Sequence, residues 1–281
     1  MIENKRNIGL DLLRILAMFG VVVMHVISGG SIMDNAMSVS KLHYYPIKLL
    51  QTFMAFAVNV YAIISGCVGY GRKHKYSGLL NLIATALFYT VIISLIFYVV
   101  MPEIGFRGAL KGMIPDYWYL LCYVGLFIFM PLLDKVLDNL SQRAMFGFLI
   151  SVFLVFSCVS TITIVINRDP FKLIRGCSVL WLMLLYLVGG YLKKYPVKTN
   201  FLKTKAGLLF LGATLLTFIA KVILIAVGKG NVSFLYDYTS PTLLLGAIAL
   251  VLLFSNVKIE SKNAGKILTY IAGLTFSVYL I

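Results

Sequence analysis

The chain has 281 residues, of which 60% are hydrophobic and 12% are charged, and its mean hydropathy is +0.95. This composition excludes an ordinary soluble domain and indicates a polytopic membrane protein. The formal net charge of +15 would suit nucleic acid, but in a membrane protein it is typical of cytoplasmic loops that face anionic lipid headgroups. We therefore expect the lipid bilayer as a partner, and no nucleic acid.

The first predicted membrane span, Ile8 to Ser28, carries three ionisable residues, Asp11, Arg14 and His25. Charged groups at membrane depth are costly, so their presence indicates a functional site. Asp11 and Arg14 are three residues apart on one helical face, and we expect them to pair. Arg14 and His25 are eleven residues apart, which places them on nearly the same face and about 16 Å apart along the axis.

Eight further apolar runs of spanning length follow, so the sequence predicts an all-α transmembrane bundle with nine candidate spans. Their approximate bounds are 49–71, 78–100, 118–133, 145–166, 177–192, 206–227, 240–256 and 266 to the end. Because no hydrophilic segment of domain size interrupts them, we expect one integral-membrane domain over residues 1–281. The last run is still apolar at Ile281, which leads us to expect a truncated chain.

Lys and Arg residues in the connections predict the orientation. If the N-terminus is cytoplasmic, the inner segments hold fifteen and the outer segments eight, and Arg14 and Lys221 inside spans complete the 25. The positive-inside rule therefore favours a cytoplasmic N-terminus. Arg14 then lies toward the cytoplasm and His25 in the outer half of the first helix. Lys221 lies near the outer end of its helix, and we expect its long side chain to snorkel to the interface.

The second span holds Asn59, Tyr61 and Ser65 among small residues. Small and hydroxylated residues most often serve close helix packing, and the alternative is a contact with substrate. The span is followed by a cationic cluster that contains Arg72, Lys73, His74 and Lys75. This cluster is either a topology signal or a phosphate-binding site.

The fourth predicted span opens on Asp116, Tyr117, Trp118 and Tyr119. Aromatic residues at a membrane boundary are typical interfacial anchors. Trp and Tyr beside an acid are also suited to line a pocket for a sugar or an acyl thioester, and the sequence leaves both interpretations open.

Of the three histidines, only His25 is predicted at membrane depth, because His43 and His74 lie in connections. The four cysteines show no C-x-x-C spacing, so we expect core residues and no metal. Acyl transfer to an alcohol needs a base that takes the hydroxyl proton, and an imidazole that titrates near neutrality suits this role. His25 is therefore the candidate general base.

The segment Leu10 to His25, LDLLRILAMFGVVVMH, resembles the opening of the integral-membrane acyltransferase 3 family. The first helix of that family carries an L-D-x-L-R run and an Arg followed by a His, which Asp11, Arg14 and His25 match. Arg72 to Lys75 lies where the family has a cytoplasmic R-x-x-R motif, with Lys in place of the last Arg and without its bidentate fork. SVYLI, Ser277 to Ile281, is similar to the S-x-x-Y-L-x-H run near the end of the family's sequences.

AVNVYAIISG and YWYLLCYVGLFIFMP are similar to a branch of the family found near bacterial polysaccharide genes. The resemblance implies about ten helices in the bacterial cytoplasmic membrane. It also implies transfer of an acyl group, commonly acetyl, from acyl-CoA such as acetyl-CoA to a hydroxyl of a cell-envelope glycan or lipid-linked sugar.

In this hypothesis the nucleotide end of the donor lies at the cationic cluster, its arm passes Arg14, and its thioester reaches His25. The residues expected to bind the donor are Arg14, Arg72, Lys73 and Lys75, and those expected to bind the acceptor are Asn59, Ser65, Asp116, Trp118 and Tyr119.

Two alternatives remain open at this point. One is a transporter or flippase of a lipid-linked sugar, in which Asp11, Arg14 and His25 relay protons. The other is a catalytically inert membrane sensing domain related to the family. The sequence lacks the soluble-type H-x-x-x-x-D acyltransferase motif, a P-loop and a G-x-S-x-G elbow, which excludes several other enzyme classes.

Overall fold

The computed structural model describes residues 6–197, 200–230 and 232–281, and these residues form helices and connections without a strand. The predicted all-α class is confirmed for this part of the chain. Every predicted apolar run coincides with helical structure. Lys5 and Lys198, which the orientation argument counts, lie outside the described residues.

The first half of the chain begins with the helix that carries the three ionisable residues. Its helices are α1 (Ile8–Gly29), α2 (Ile32–Val39), α3 (Lys41–Met54), α4 (Ala57–Gly69), α5 (Tyr76–Val100), α6 (Gly105–Gly112) and α7 (Trp118–Asn139). The short helices α2 and α6 lie in connections between predicted spans.

The second half contains one helix with a π-helical centre, in which α8 (Gln142–Val152) continues through Phe153–Val159 into α9 (Ser160–Ile164). The remaining helices are α10 (Val179–Lys194), α11 (Asn200–Ala226), α12 (Pro241–Ser255) and α13 (Lys262–Leu280).

Within the described residues, six helical segments are long and apolar enough to cross a membrane. They are α1, α3 with α4, α5, α7, α8 with α9, and residues Thr204–Ala226 of α11. Helices α10 and α12 have 16 and 15 residues, fewer than the about 20 that a bilayer core requires, and α13 begins with a polar turn. The count of nine to ten spans and the orientation of the N-terminus stay predictions.

The core lies where α4 packs against α10. Gly66 of α4 and Gly189 of α10 face each other so closely that a side chain at either position would overlap a backbone carbonyl of the other helix. Asn59 is fully buried in this region; its Nδ2 donates to the carbonyl of Tyr238 at 2.8 Å, and its Oδ1 accepts from Trp181 Nε1 at 3.1 Å. The small residues of this span therefore serve helix packing.

Helix α1 is held in place at its N-terminal end. The side chain of Asn7 caps the helix by accepting from the backbone N–H of Leu10 at 3.2 Å, and it donates to the carbonyl of Ser255 at 2.9 Å. Gly9 lies against the carbonyl of Phe254, where any side chain would clash. These contacts fix the start of α1 to the end of α12 and thereby set the position of Arg14.

The side chain of Lys221 reaches the connection that follows its helix but is buried there. Its side chain is only 8% exposed, and its Nζ donates to the carbonyls of Gly230 and Val232. The ammonium finds backbone acceptors in the connection before α12, and its snorkelling to the membrane interface stays a prediction.

Candidate functional site

A cavity of about 300 Å³, here called the central cavity, lies between α1, α4, α7 and α13. Its size is at the lower end of the range typical of ligand sites. It brings together side chains from separate parts of the sequence, and the predicted site residues among them are Arg14, His25, Ser65, Trp118 and Tyr119. Arg14 and His25 therefore share one cavity, as their helical spacing indicates.

The imidazole of His25 is exposed, and its Nδ1 lies 2.8 Å from the carbonyl oxygen of Val21, one turn earlier in α1. A carbonyl oxygen can only accept a hydrogen bond, so in the neutral ring Nδ1 carries the proton. The lone pair then resides on Nε2, which makes this nitrogen available as a base.

The Asp11 carboxylate forms a closer ion pair with Arg6 than with Arg14. Nε and Nη2 of Arg6 donate to the two oxygens of the Asp11 carboxylate at 2.6 and 3.1 Å. Nη1 of Arg14 lies 3.7 Å from the same carboxylate. The predicted pair of Asp11 and Arg14 exists as an ion pair, but Arg6 makes the short bidentate contact that sequence reasoning missed. Arg6 precedes the apolar run, so the helix periodicity contained no signal for it.

The guanidinium of Arg14 keeps hydrogen-bonding capacity for a ligand. Its side chain is 25% exposed, and its ion pair with the Asp11 carboxylate, at 3.7 Å, is longer than a hydrogen bond. The backbone of Arg14 is held separately, because the hydroxyl of Tyr61 donates to its carbonyl at 2.8 Å. A guanidinium has five N–H donors, so Arg14 can bind an anionic or carbonyl group.

A second cavity of about 440 Å³, here called the basic cavity, adjoins α1, α4 and α10. Its cationic wall residues are Arg6, Arg14, Arg72 and Lys193, and Asp11 is the acid among them. Apolar side chains such as Val68 and Leu192 complete the wall. Arg14 lines both cavities and therefore stands at the boundary between them.

The cationic cluster after α4 divides into residues with different surroundings. Of its predicted donor-binding members, Arg72 lines the basic cavity, whereas Lys73 and Lys75 are exposed and lie outside its wall. His74 turns back toward α7, where its Nε2 lies 2.9 Å from the carboxylate of Asp134. Of the predicted donor-binding residues in the cluster, only Arg72 lines the basic cavity. Arg6 and Lys193, which were not predicted, supply cationic groups to the same wall.

Asp134 of α7 anchors the connection between α4 and α5. Besides His74, its carboxylate accepts from the hydroxyl of Tyr186 at 2.7 Å and from the backbone N–H of Gly71 at 3.3 Å. Nζ of Lys193 donates to the carbonyl of Tyr70 in the same connection. The segment that carries Arg72 is therefore tied to both α7 and α10.

Aromatic rings form much of the wall of the central cavity. Trp118 stacks on Tyr238 with ring centroids 6.0 Å apart and an angle of 19° between the rings. Tyr119 lies 6.4–6.5 Å from three other rings, those of Tyr61, Tyr123 and Tyr279. Trp118 and Tyr119 thus line a pocket, which was one of the two interpretations of this stretch.

Two predicted acceptor-binding residues lie elsewhere. Asn59 is fully buried between Trp181 and Tyr238 and does not line the central cavity. Asp116 is exposed in the connection before α7 and is also absent from the cavity wall. Among the residues described, no three His, Cys, Asp or Glu side chains come together as a metal site would require.

Comparison with known proteins agrees with the first-helix motif. The Acyl_transf_3 family model, described as an acyltransferase domain, matches residues 7–281. No curated protein and no solved structure matches the chain. Together with the spanning helices, the family match identifies a multi-pass membrane protein. The chain therefore belongs to the acyltransferase 3 family.

Proposed function

We propose that this protein moves an acyl group such as acetyl from acyl-CoA to a hydroxyl of a glycan or lipid-linked sugar in the bacterial envelope, with His25 as general base. The observation that carries the proposal is the position of Arg14, which lines both the central cavity with His25 and the basic cavity with Arg72. A long donor can therefore lie across both.

The two cavities match the two ends of an acyl-CoA molecule. Its phosphates suit the guanidinium and ammonium groups of Arg6, Arg72 and Lys193 in the basic cavity. Its pantetheine arm would pass Arg14, and its thioester would enter the central cavity. The separation of about 16 Å between Arg14 and His25 along α1 suits a long, thin donor of this kind. Acyl-CoA is a substrate here, and the reaction requires no resident cofactor.

The reaction follows from the tautomer of His25. The acceptor hydroxyl oxygen attacks the thioester carbonyl carbon while Nε2 of His25 takes the hydroxyl proton. As the new C–O bond forms and the C–S bond breaks, the CoA sulfur leaves with the electron pair and takes the proton back from the imidazolium. The Val21 carbonyl accepts from Nδ1–H throughout and favours the imidazolium that forms transiently.

The aromatic wall supports a sugar acceptor. The stacked rings of Trp118 and Tyr238 offer apolar faces with polar edges, and a few polar groups among apolar ones are typical of small-molecule sites. Ser65 contributes a hydroxyl oxygen, whose proton is donated to the carbonyl of Tyr61 at 2.9 Å. Asn59 and Asp116 have no part in this proposal.

The proposal includes the predicted orientation in a bacterial cytoplasmic membrane. With the N-terminus cytoplasmic, the basic cavity opens to the side where acyl-CoA is made, and His25 lies in the outer half of the bilayer. Helices α10, α12 and α13 would complete a bundle of nine to ten spans.

The contacts of Asp11 argue against the transporter alternative. A relay of protons through Asp11, Arg14 and His25 needs a carboxylate that is free to exchange protons, whereas Arg6 holds both oxygens of Asp11. Nε2 of His25 keeps a lone pair that can accept a proton, which favours a catalytic function over an inert sensing domain.

The test is acyl transfer from labelled acetyl-CoA by the purified protein, with host envelope fractions as acceptor. We expect His25→Ala to lower the rate about 100-fold or more, the usual contribution of a general base. His43→Ala is the matched control, because this histidine is exposed in α3 and lies outside both cavities. Full acetyl-CoA-dependent transfer by His25→Ala would refute the proposal, and wild type that releases no free CoA would support the transporter.

A further inference from the structure

Two buried lysines meet at one tyrosine ring. Lys48 of α3 and Lys221 of α11 are only 6% and 8% exposed. Their Nζ atoms lie 3.9 and 5.9 Å from the centroid of the Tyr236 ring, in the connection between α11 and α12. Lys48, Lys221 and Tyr236 therefore form one group, here called the lysine cluster.

The partners of both ammonium groups are electrically neutral. Nζ of Lys48 donates to Oε1 of Gln51 at 2.7 Å, and Nζ of Lys221 donates to two backbone carbonyls. In the described part of the chain, no carboxylate lies within 4 Å of either ammonium. Asp237 is within electrostatic range of Lys221 but forms no such ion pair. Two buried ammonium groups that form no ion pair are costly, which points to a negatively charged ligand.

Hydrogen-bond donors in the cluster also lack acceptors. The hydroxyl of Tyr236 is buried and makes no hydrogen bond of normal geometry to the described residues, although Thr52 lies within interaction range of it. The ammonium of Lys48 carries three protons and makes one hydrogen bond to the described residues. Buried donors are normally satisfied, and an oxyanion would accept from both groups at once.

The cluster is linked to the elements that form the central cavity, although Lys48, Lys221 and Tyr236 do not line that cavity. Nε2 of Gln51 donates to the hydroxyl of Ser28 at 3.4 Å, and Ser28 is one helical turn after His25 in α1. On the other side, Tyr238 follows Tyr236 by two residues and lines the central cavity. Helix α1 and the connection before α12 therefore each contribute both to the central cavity and to the surroundings of the cluster.

We propose that the lysine cluster binds an oxyanion, and that this oxyanion is the phosphate or carboxylate of the acceptor whose hydroxyl faces His25. The role for the acceptor rests on the proposed function. The anion site itself rests on the charges and donors of the cluster. The acceptor would then be an acidic molecule, either a sugar linked to a lipid through phosphate or a glycan with a uronic acid.

Anion binding is tested on the purified full chain in a non-ionic detergent, by thermal unfolding at constant ionic strength with increasing pyrophosphate or glucuronate. We expect at least one of them to raise the unfolding midpoint of the wild type, and the more effective one identifies the source of the oxyanion. Lys48→Gln should weaken the apparent affinity about tenfold, since it removes one charge-assisted contact. Lys41→Gln, in the same helix and exposed, should bind as wild type does.

Two further variants make the test decisive. Tyr236→Phe removes only the hydroxyl and should weaken binding a few-fold even if Lys48→Gln does not fold. Arg72→Gln distinguishes the lysine cluster from the basic cavity. An anion that binds in the basic cavity should lose affinity in Arg72→Gln and keep it in Lys48→Gln, and an anion that binds at the lysine cluster should do the opposite. Binding that is unchanged in both Lys48→Gln and Tyr236→Phe, or absent from wild type, would overturn the anion site. Intact anion binding without acyl transfer would instead count against the proposed function alone.

Discussion

At the scale of single residues, the ion pairs of α1 assign different roles to its three ionisable side chains. Asp11 is 4% exposed and bidentate with Arg6, so its charge is neutralised within the protein. Arg14 keeps its donors, and His25 keeps the lone pair on Nε2 because Nδ1 bonds to Val21. In the proposed reaction Asp11 positions the helix start, Arg14 binds the donor, and His25 transfers the proton.

This division of roles predicts the effect of changing Arg14. We expect Arg14→Gln to raise the KM for acetyl-CoA about tenfold or more, because charge-assisted hydrogen bonds to the donor are lost. Arg14→Lys should fall between this variant and wild type, since it keeps the charge without the fork. Steady-state kinetics with varied acetyl-CoA measures both, and Arg143→Gln, an exposed site on α8, is the control. An unchanged KM in Arg14→Gln would contradict the donor path.

At the scale of elements, the connection between α4 and α5 is ordered by a carboxylate on α7. Asp134 accepts from His74, from Tyr186 of α10 and from the backbone of Gly71. Arg72 lies between these anchored residues and faces the basic cavity. The backbone of the cluster after α4 is therefore fixed against two other helices, and a role in donor binding stays part of the proposal.

The anchoring predicts that Asp134→Asn disturbs donor binding from a distance. One amide cannot satisfy His74, Tyr186 and Gly71 as the carboxylate does, and we expect a loss of about 1–3 kcal/mol in unfolding free energy. The KM for acetyl-CoA should rise while kcat changes less, because His25 is untouched. Thermal unfolding and kinetics on the same samples measure the two effects. The control is Asp34→Asn, an exposed residue of α2, and equal KM values in the two variants would contradict the anchoring role.

At the scale of the whole molecule, a carboxylate outside the spanning helices links folding to pH. Burial raises the pKa of Asp237 from 3.8 to about 6, and the nearby Arg175 opposes this rise only in part. The folded protein therefore binds more protons than the unfolded chain between these two values. By linkage, this group makes the free energy of unfolding fall as pH rises from about 4 to 6, and the loss persists above pH 6.

Asp237→Asn should remove this penalty. We expect the variant to unfold at a higher temperature than wild type at pH 8, with the difference shrinking as pH falls below 5. Thermal unfolding across pH 4 to 8 tests this, with Asp116→Asn in an exposed connection as the comparison. A difference that does not depend on pH would mean that the carboxyl does not titrate between these values.

The amino-acid sequence alone determined the helical class, the helical position of every apolar run and the shared face of Arg14 and His25. These features follow from local properties, namely hydropathy over about 20 residues and a period of 3.6. The motif from Leu10 to His25 also identified the family that the comparison confirmed. Local pattern, however, could not separate structural from ligand-facing polar residues, as Asn59 and Ser65 in the same helix show.

Only the tertiary structure decided which side chains meet. The side chain of Arg6, just before α1, reaches Asp11 inside the helix. Lys193 and Tyr238 line the two cavities although they lie more than 100 residues beyond α1. The lysine cluster likewise joins α3 to α11 and to the connection after it. Such contacts depend on how helices pack, and packing is decided by the fit of distant surfaces, which no period along one segment records.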